Sequence, residues 1–424
     1  MKMRYIAPIL AFAVMLSALA GIAGCRASGT GAKTGVAGAT DLMDGIAPGN
    51  VTTNVDLSDH STEVIDFAVR LFQNTASMEK NSMISPFSVL YALAMTANGA
   101  DGDTLAQMEE VFGISVGDLN EYLYIYRKNL PSDDKNKFSL VNSIWFRDDE
   151  TFEAYDDFLR LNADYYGASI YKAPFDNETL KAINKWVKEQ TDGMIEDILD
   201  EIPPLTVMYL INAMAFDAEW QEVYKERQVR PGVFNALSGA KRDVEMMYCS
   251  VYSYLDDGNA TGFIKRYSGG RYAFAALLPN EGVHINEYIS TLKGENLAGI
   301  LQNVQSVKVD TAIPKFESEF SIEMSEILAG MGMPDAFDMD LANLTKLGYS
   351  SIGRLYINRV IHKTYISVDE QGTKAGASTV VEVMASSAPP PEEPKTVYLD
   401  RPFVYMIYDV ETGIPFFIGT VLDL

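Results

Sequence analysis

The sequence predicts a large α+β fold, and three observations lead to this prediction. Apolar residues recur at helical spacing in several segments of the first half, of which residues 62–72 are the clearest. Strand-like runs follow one another without an intervening helix between residues 244 and 278, as in antiparallel sheets. The chain closes with strand-like runs at 403–410 and 414–421, which are joined as a hairpin. With 424 residues, 47% of them hydrophobic, the chain can bury the core that this fold needs.

The first 24 residues read as an export signal. Lys2 and Arg4 supply the positive start, and residues 9–19 supply the apolar centre. The sequence I-A-G-C at 22–25 resembles a bacterial lipobox, in which a signal peptidase cuts before the cysteine and Cys25 receives diacylglycerol. The alternative is an ordinary signal that is cut elsewhere, with an incidental cysteine. We therefore expect an exported protein at the bacterial cell surface or in the extracellular space, lipid-anchored at Cys25.

The segment after the signal differs in composition from the rest of the chain. Residues 25–57 comprise Cys25 and a stretch rich in Gly, Ala, Ser and Thr, which can bury little apolar surface. This composition predicts a flexible tether between the anchor and the folded region. Residues 58–424 are then expected to form one large globular domain.

Charge and residue counts exclude several function classes. The formal net charge is −24, which argues against nucleic acid, an anionic membrane surface or a polyanionic cofactor as partners. The 2 cysteines, Cys25 and Cys249, form neither a disulfide framework nor a zinc motif. The 3 histidines are too scattered to indicate a metal site, so no cofactor and no metal are expected. No arrangement of a nucleophile with a base is visible, and the protein is not expected to be an enzyme.

A buried helix is predicted directly after residue 85. Ser85 can cap it, Pro86 suits its first turn, and Gly99 suits its end. Nearly all residues between them are apolar or small, so the helix should be buried on all sides. Ser88 then needs a hydrogen-bonding partner inside the protein.

The other segments are interpreted from their periodicity, in chain order. Helices are expected at 110–130, 152–161, 177–191, 285–292, 295–301 and 322–331, and strands at 138–146, 206–216, 306–320 and 356–368.

Residues 369–391 follow the last of these strands and fit no ordinary element. Residues 372–379 are almost all small, and Pro389, Pro390 and Pro391 favour an extended exposed chain. Read as a strand, one face carries no charge, while Lys374 and Glu382 lie on the other face. The segment is therefore an exposed loop with the pattern of a strand that could be buried on one side. The alternative is an edge strand or an Ala/Ser-rich linker.

The residues that open this loop resemble a known family. E-Q-G-T-K-A-G-A-S-T from Glu370, preceded by H-K-T-Y-I-S-V-D-E, is similar to the hinge of the reactive-centre loop of serpins. Other serpin-like motifs occur in order along residues 58–424, at 81–100, 211–220, 312–320, 330–337 and 400–408. The resemblance implies a serpin fold with three β-sheets, about eight or nine helices and an exposed reactive-centre loop at 370–396.

The resemblance also implies roles for particular residues. The hinge would comprise Glu370, Gly372, Thr373, Ala375 and Ala377, which lead the loop into the main sheet after cleavage. Serpin hinges usually have Glu where Lys374 stands and Ala where Gly376 stands, and both departures fall on the outward face.

Two further groups carry over from the family. Ser85, Ser88, Asn212 and His362 match the shutter, where two central strands must part. Considered by itself, His362 would be interpreted as a core histidine whose hydrogen bonds are all made inside the protein. Trp220 matches the breach, where the loop first enters the sheet, and it can be a core tryptophan at the same time.

The mechanism implied is that of a suicide substrate. A serine protease attacks the loop, and insertion of the loop into the sheet traps the acyl-enzyme. Family spacing places the reactive bond at Ser386–Ser387, with Met384–Ala385 and Ala385–Ser386 as alternatives in register. These residues are small or unbranched and uncharged, which predicts elastase-like or subtilisin-like targets, with some cysteine proteases as further candidates. A monomer is expected.

Two alternatives stay open at this point. A non-inhibitory serpin that binds a ligand or a partner as a surface lipoprotein would be cleaved without trapping a protease. A solute-binding lipoprotein would show ligand-dependent stability but would leave the ordered motifs unexplained.

Overall fold

Helices account for much of the chain outside the sheets. The computed structural model describes residues 36–130, 132, 133, 135–148, 152–351, 353–373 and 394–424. The nine α-helices in these ranges are α1 Ser61–Thr75, α2 Pro86–Ala97, α3 Gly102–Phe112, α4 Val116–Asn129, α5 Asp156–Tyr166, α6 Asn177–Gln190, α7 Ile285–Thr291, α8 Gly294–Gln302 and α9 Ser325–Met331.

The strands are numbered along the chain. They are β1 Thr40–Asp41, β2 Ser82–Ile84, β3 Ser132–Asp133, β4 Asn136–Arg147, β5 Phe152–Ala154, β6 Ser169–Ala173, β7 Met208–Glu219, β8 Val229–Asn235, β9 Lys241–Val251, β10 Tyr254–Asp256, β11 Ala260–Arg266, β12 Tyr272–Pro279, β13 Val309–Pro314, β14 Phe316–Glu323, β15 Gly348–Ser350, β16 Arg359–Val368, β17 Gly372–Thr373, β18 Lys395–Tyr398, β19 Phe403–Asp409 and β20 Pro415–Val421.

Three large sheets organise these strands. The main sheet has eight strands in the order β1-β6-β4-β7-β17-β16-β14, with β3 also paired to β4. A six-stranded sheet runs β10-β11-β12-β19-β20-β2, and a four-stranded sheet runs β18-β13-β9-β8. The short pair β15-β5 stands apart from them. The predicted α+β fold is confirmed, with the expected three large sheets and nine helices in the described residues.

Helix α2 packs against the inner face of the main sheet. Pro86 occupies its first turn, and the Ser85 hydroxyl accepts a hydrogen bond from the Ser88 amide at 3.3 Å. Every residue of α2 is buried, as its uniformly apolar sequence predicts. Gly99, just beyond its end, lies so close to Leu347 that a Cβ there would be 2.4 Å from the Cβ of Leu347. The helix is therefore fixed in position beneath β4 and β7.

Helix α6 covers the outer face of the same strands. Its Ile183, Trp186 and Val187 pack on Trp145 of β4 and Tyr209 of β7 in a second, smaller hydrophobic core. Since α2 covers one face and α6 the other, β4 and β7 are buried on both sides. Near-continuous apolar sequence in 206–216 is the expected consequence of such burial.

Residues 191–207 lead from α6 back to β7 and close the outer face. The Asn184 side-chain amide donates to the carbonyl of Leu199 at 2.8 Å, and Arg147 Nε donates to the carbonyl of Thr206 at 2.7 Å. These bonds hold the segment against the main sheet. Among the described residues, no helix has the length and apolar character that a membrane span requires.

Several predicted elements are wrong in extent. The helices expected at 152–161 and 322–331 start later, at Asp156 and Ser325, because residues 152–154 and 322–323 belong to β5 and β14. The run at 306–320 is two strands in different sheets, because the chain changes sheet between Pro314 and Phe316. The tract at 110–130 is interrupted, because Gly113 adopts a left-handed conformation (φ 74°) that ends α3, and Ser115 caps α4.

The predicted tether also needs correction where the structure describes it. Thr40–Asp41 pairs with β6, Met43 is buried in the core, and Thr53 donates to Glu121 at 2.6 Å. Residues 36–57 are thus packed on the domain, because backbone pairing and apolar side chains such as Leu42, Met43 and Ile46 hold them there. The predicted signal peptide and Cys25 lie outside the described residues.

Candidate functional site

The main sheet contains a line of parallel pairing at its centre, which we call the seam. Along the seam, residues 359–365 of β16 pair with residues 209–215 of β7 in parallel register. The other strand pairings of β7 and β16 are antiparallel. An antiparallel strand inserted at the seam would convert this one parallel pairing into two antiparallel ones, which are slightly more stable per residue.

One end of the seam is already open. Beyond Tyr365, strand β16 runs on to Val368, the chain turns through residues 369–371, and β17 returns between β16 and β7. Thr373 pairs with Val368 on one side and with Ala218 on the other, and Gly372 pairs with Glu219. The start of the predicted hinge therefore occupies the position of a new central strand over two residues.

The turn at 369–371, here called the hinge turn, is held by two aromatic residues of the segment after β7. The indole nitrogen of Trp220 donates to the carbonyl of Asp369 at 2.9 Å. The backbone amide of Trp220 donates to the carbonyl of Gln371 at 2.9 Å. The Tyr224 amide donates to the carbonyl of Glu370 at 3.0 Å. Sequence reasoning placed Trp220 at this entrance but missed Tyr224.

Gly372 is required by close packing. A Cβ at this position would lie 2.0 Å from the carbonyl oxygen of Ala218 and 2.8 Å from the Cα of Glu219. Such distances are far inside van der Waals contact, so β17 could not approach β7 with any larger residue here.

Thr373 is fully buried, and its hydroxyl lies 2.7 Å from the hydroxyl of Tyr267. Tyr267 in turn stacks on Trp220 with ring centroids 4.5 Å apart. Thr373 is thus linked to the predicted breach residue Trp220 through Tyr267, and Gly372 pairs with Glu219, which precedes Trp220 in the chain.

Glu370 forms an ion pair at the outer side of the hinge turn. Its carboxylate lies 2.6 Å from Lys315 Nζ, which also contacts Glu245 at 3.2 Å. The hydrogen bond from Lys315 lowers the pKa of Glu370, so the carboxylate is charged at neutral pH. Lys315 follows the break between β13 and β14, and sequence reasoning did not assign it this role.

A buried polar cluster lies lower on the seam. Asn142, Asn212 and His362 occupy paired positions on β4, β7 and β16, in one row across the sheet. Asn212 donates to the Ser88 carbonyl at 2.7 Å, and it also contacts the Ser88 hydroxyl and the Asn142 side-chain oxygen. We call Asn142, Asn212, His362, Ser85 and Ser88 the seam network.

His362 is neutral in this network. Its Nε2 accepts a hydrogen bond from the Ser85 amide at 3.0 Å, so the proton is on Nδ1, which donates to the side-chain oxygen of Asn212. Complete burial lowers the pKa of His362 to about 3. A neutral imidazole bridging two elements can be re-paired when the strands move, without leaving a buried charge.

The structure brings together all four predicted shutter residues, Ser85, Ser88, Asn212 and His362. It adds Asn142, which sequence reasoning missed. The available signal was an asparagine in the strand-like run V-N-S-I-W, but the register with Asn212 was needed to interpret it.

Charged contacts lie on the outer face of β16, beside the seam. Lys363 of β16 is 7% exposed and contacts Asp197, in the segment after α6, at 2.8 Å. It also contacts Glu319 on β14. Consecutive residues His362 and Lys363 therefore hold β16 from its two faces, His362 to β7 and Lys363 to the segment after α6 and to β14.

The remaining predicted site residues are not described. Ala375, Ala377, Met384, Ala385, Ser386 and Ser387 lie outside the described residues, as does Cys25. Within the described ranges, no group of three or more His, Cys, Asp or Glu side chains is placed to hold a metal ion.

A comparison with family models matches residues 62–424 to "Serpin (serine protease inhibitor)". An uncharacterized serpin-like protein of Thermococcus kodakarensis is 31% identical over 365 residues, which cover 84% of each chain. Leukocyte elastase inhibitor A of Mus musculus is 28% identical and is covered over 97% of its length.

Solved structures agree with this assignment. The thermophilic serpin tengpin in its native state is 48% identical, with a TM-score of 0.86 over 91% of this chain and 100% of that one. Tengpin in its latent state gives a TM-score of 0.78 at 44% identity, over 88% of this chain and 100% of that one.

Proposed function

The chain belongs to the serpin family, and we propose that it inhibits serine proteases as a suicide substrate. The protease would cut the exposed loop and form an acyl-enzyme. The loop would then enter the seam as a new strand and displace the bound protease, which would lose its oxyanion hole before water releases it.

The observation that carries this proposal is β17. Gly372 and Thr373 already pair with both β7 and β16, in the antiparallel register that a full new strand would need. If the same register continues, Thr379 would come to lie between Asn212 and His362 of the seam network. The uncharged alternate positions of the loop would then face α2, and Lys374 and Glu382 would face outward.

The energetics favour insertion. About a dozen inserted residues, each gaining ~1 kcal/mol from hydrogen bonds and burial, would exceed the few kcal/mol needed to distort a protease active site. The native form would then be a kinetic trap that persists because the seam opens slowly. The described residues support this: β16 pairs directly with β7 along the seam, and the TM-score with tengpin is 0.86 in its native state and 0.78 in its latent state.

We propose elastase-like or subtilisin-like proteases as targets, with cleavage at Ser386–Ser387. The uncharged residues from Met384 to Ser387 would leave the carboxylate of a trypsin-like pocket unpaired. The name of the relative from Mus musculus, a leukocyte elastase inhibitor, supports this choice.

The test is to incubate the protein with elastase, subtilisin, trypsin and a papain-like cysteine protease. We expect elastase or subtilisin to form a complex that survives denaturing electrophoresis, and the released fragment to begin at Ser387. Cleavage without such a complex would instead support a non-inhibitory serpin. Trapping of trypsin as well as elastase would contradict the specificity.

A heat scan provides a second measurement on the same sample. Insertion should raise the melting temperature of the cleaved protein by tens of degrees, because the new strand adds a central layer of hydrogen bonds. An unchanged melting temperature after cleavage would rule out insertion.

We also propose that the protein is exported and anchored through lipidated Cys25. The lipobox-like I-A-G-C at residues 22–25 supports this. Mass spectrometry of the protein from a bacterial membrane fraction should find a diacylglyceryl group on Cys25, and Cys25→Ala should release it from the membrane. A soluble protein cut at another position would contradict the proposal.

A further inference from the structure

A cavity of about 270 Å³ lies beside the edge of β4, away from the hinge turn. Its walls come from α2, the end of α4, the turn after α5, and α6. Most of the lining side chains are apolar or aromatic, including Tyr91, Phe138 and Trp186. Small-molecule sites are typically concave and apolar with a few polar groups of defined position, so the polar atoms in this cavity indicate what it could bind.

Two buried donors in the cavity have no partner. The Nε of Arg127 and the side-chain nitrogen of Asn142 are both buried without a hydrogen bond to any described residue. Asn142 is 8% exposed, and its oxygen is already used by Asn212. Leaving a buried donor unsatisfied costs about 1–3 kcal/mol, and more for a charged group, so an acceptor in the cavity would remove a real penalty.

The lining of the cavity holds a positive charge and no negative one in the described residues. Arg127 is its one ionised side chain among the described lining residues, which include neither Asp nor Glu. Arg127 also has no carboxylate partner among the described residues, unlike Arg160, Arg242 or Arg271. In a chain with a formal net charge of −24, an arginine that has no acidic partner in the described ranges is available to a ligand.

The backbone around Arg127 leaves room for its guanidinium. Gly167, at the end of α5, has a φ of 56°, and a Cβ there would lie 2.8 Å from Nη1 of Arg127. The edge of β4 supplies further polar groups. Strand β3 covers it at residues 136 and 137 and β6 covers it from residue 143 on, so residues 138–142 have no neighbouring strand on that side in the described chain.

We propose that this cavity binds a small organic carboxylate with an apolar body. The carboxylate would accept hydrogen bonds from Arg127 Nε and the Asn142 amide, and an aromatic or short aliphatic body would pack among Tyr91 and Phe138. The volume lies below the roughly 300–1000 Å³ of sites for drug-sized ligands, which favours an acid of the size of phenylacetate. This binding does not depend on the proposed protease inhibition, and its test measures binding alone.

The test compares phenylacetate with phenylacetamide, which has nearly the same shape but no charge. Saturation-transfer NMR and thermal shift on the full folded protein should show binding of phenylacetate and much weaker binding of the amide. Benzoate and hexanoate extend the comparison to other bodies. Equal binding of acid and amide, or no binding of any of the three acids at millimolar concentration, would overturn the proposal.

A variant pair identifies the site. Arg127→Met keeps the apolar stem and removes the charge, so we expect phenylacetate to bind about ten- to a hundredfold more weakly. Arg160→Met is the matched control, because Arg160 is exposed and pairs with Asp156 on α5. Unchanged affinity in Arg127→Met would overturn the proposal. If Arg127→Met fails to fold, two measurements still test the proposal. One is phenylacetate binding by Arg127→Lys, which keeps the charge, and the other is the comparison of acid with amide on the unmodified protein.

Discussion

The hydroxyls of Thr373 and Tyr267 lie 2.7 Å apart inside the main sheet, although Thr373 belongs to the loop and Tyr267 follows β11. The hinge is thus already engaged with the interior before any cleavage. Thr373, the first inserted side chain, therefore has a defined partner in Tyr267. Substitutions of Thr373 should change whether the bound protease is trapped or released, and should not change how readily the protease cuts the loop.

Thr373→Arg should convert an inhibitor into a substrate. Thr373 is fully buried, and an unpaired buried charge costs several kcal/mol, so insertion would stop at its first residue. We expect the elastase-type protease to cut the loop at an unchanged rate while the fraction trapped falls close to zero, measured by densitometry of the denaturant-resistant complex. Thr373→Val, which loses only about 1 kcal/mol with the Tyr267 hydrogen bond, should still trap. Trapping by Thr373→Arg would mean that β17 is not on the insertion path.

Gly372→Ala should expel β17 from the sheet. The added Cβ would meet the Ala218 carbonyl oxygen at 2.0 Å, and such overpacking typically costs about 1–3 kcal/mol. The amides of Trp220 and Tyr224, which donate to the hinge turn, should then exchange with deuterium faster. Gly330→Ala is the control, because a Cβ there meets nothing within 4 Å. Equal exchange in both variants would contradict the tight packing of Gly372.

Acid should weaken the native fold through His362. Its pKa is about 3 in the folded protein because of burial, against about 6.5 when unfolded. The unfolded state therefore binds the proton more readily. The contribution of His362 to the free energy of unfolding is fully present above pH 6.5 and is lost as the pH falls towards 3. Between pH 7.5 and pH 5 the loss from this group is about 2 kcal/mol.

The urea midpoint at several pH values measures this effect. His362→Gln should be less stable at pH 7.5 but should show a flatter dependence down to pH 5, since the amide can replace both hydrogen bonds without titrating. His284→Gln, at an exposed helix cap, should keep the original slope. A His362→Gln variant with an unchanged slope would show that other groups dominate the acid response.

The cleaved form should contain a new ion pair. If the register of β17 continues, Glu382 comes to lie beside Arg359 at the far end of the seam. Arg359→Gln and Glu382→Gln should each lower the guanidinium midpoint of the cleaved protein by the equivalent of at most about 1 kcal/mol, and the native form should change less. The guanidinium midpoint of the cleaved double variant should fall no further than that of either single variant. Additive losses would mean that the inserted strand has another register.

Sequence reasoning found the elements whose signals are local. The Ser85 cap and Pro86 predicted the start of α2, and its uniformly apolar sequence predicted burial on all sides. The shutter and hinge residues were found by resemblance, because their function depends on which strands become neighbours. No periodicity places Ser88 and Asn212 in contact across 124 positions of the chain.

The misses have a common physical cause, which is that tertiary pairing overrides local pattern. Residues 306–320 have continuous strand character, and only the surrounding sheets decide that the chain divides at Pro314. The Gly, Ala, Ser and Thr content of residues 25–57 predicts a tether, yet Thr40–Asp41 pairs with β6, and Leu42, Met43 and Ile46 pack on the core. Asn142 was overlooked because its meaning depends on its register with Asn212.

His362 and Lys363 fasten the two faces of β16 at the same height, one to the seam network and one to Asp197. In the register of β17, a strand advancing from the hinge turn would meet neither contact over residues 374–377 and would then meet Lys363 at residue 378 and His362 at residue 379. Entry should consequently proceed in two kinetic phases, a rapid one to mid-sheet and a slower one beyond it. We therefore expect an intermediate in which the loop is inserted as far as mid-sheet and the bound protease has not yet been displaced.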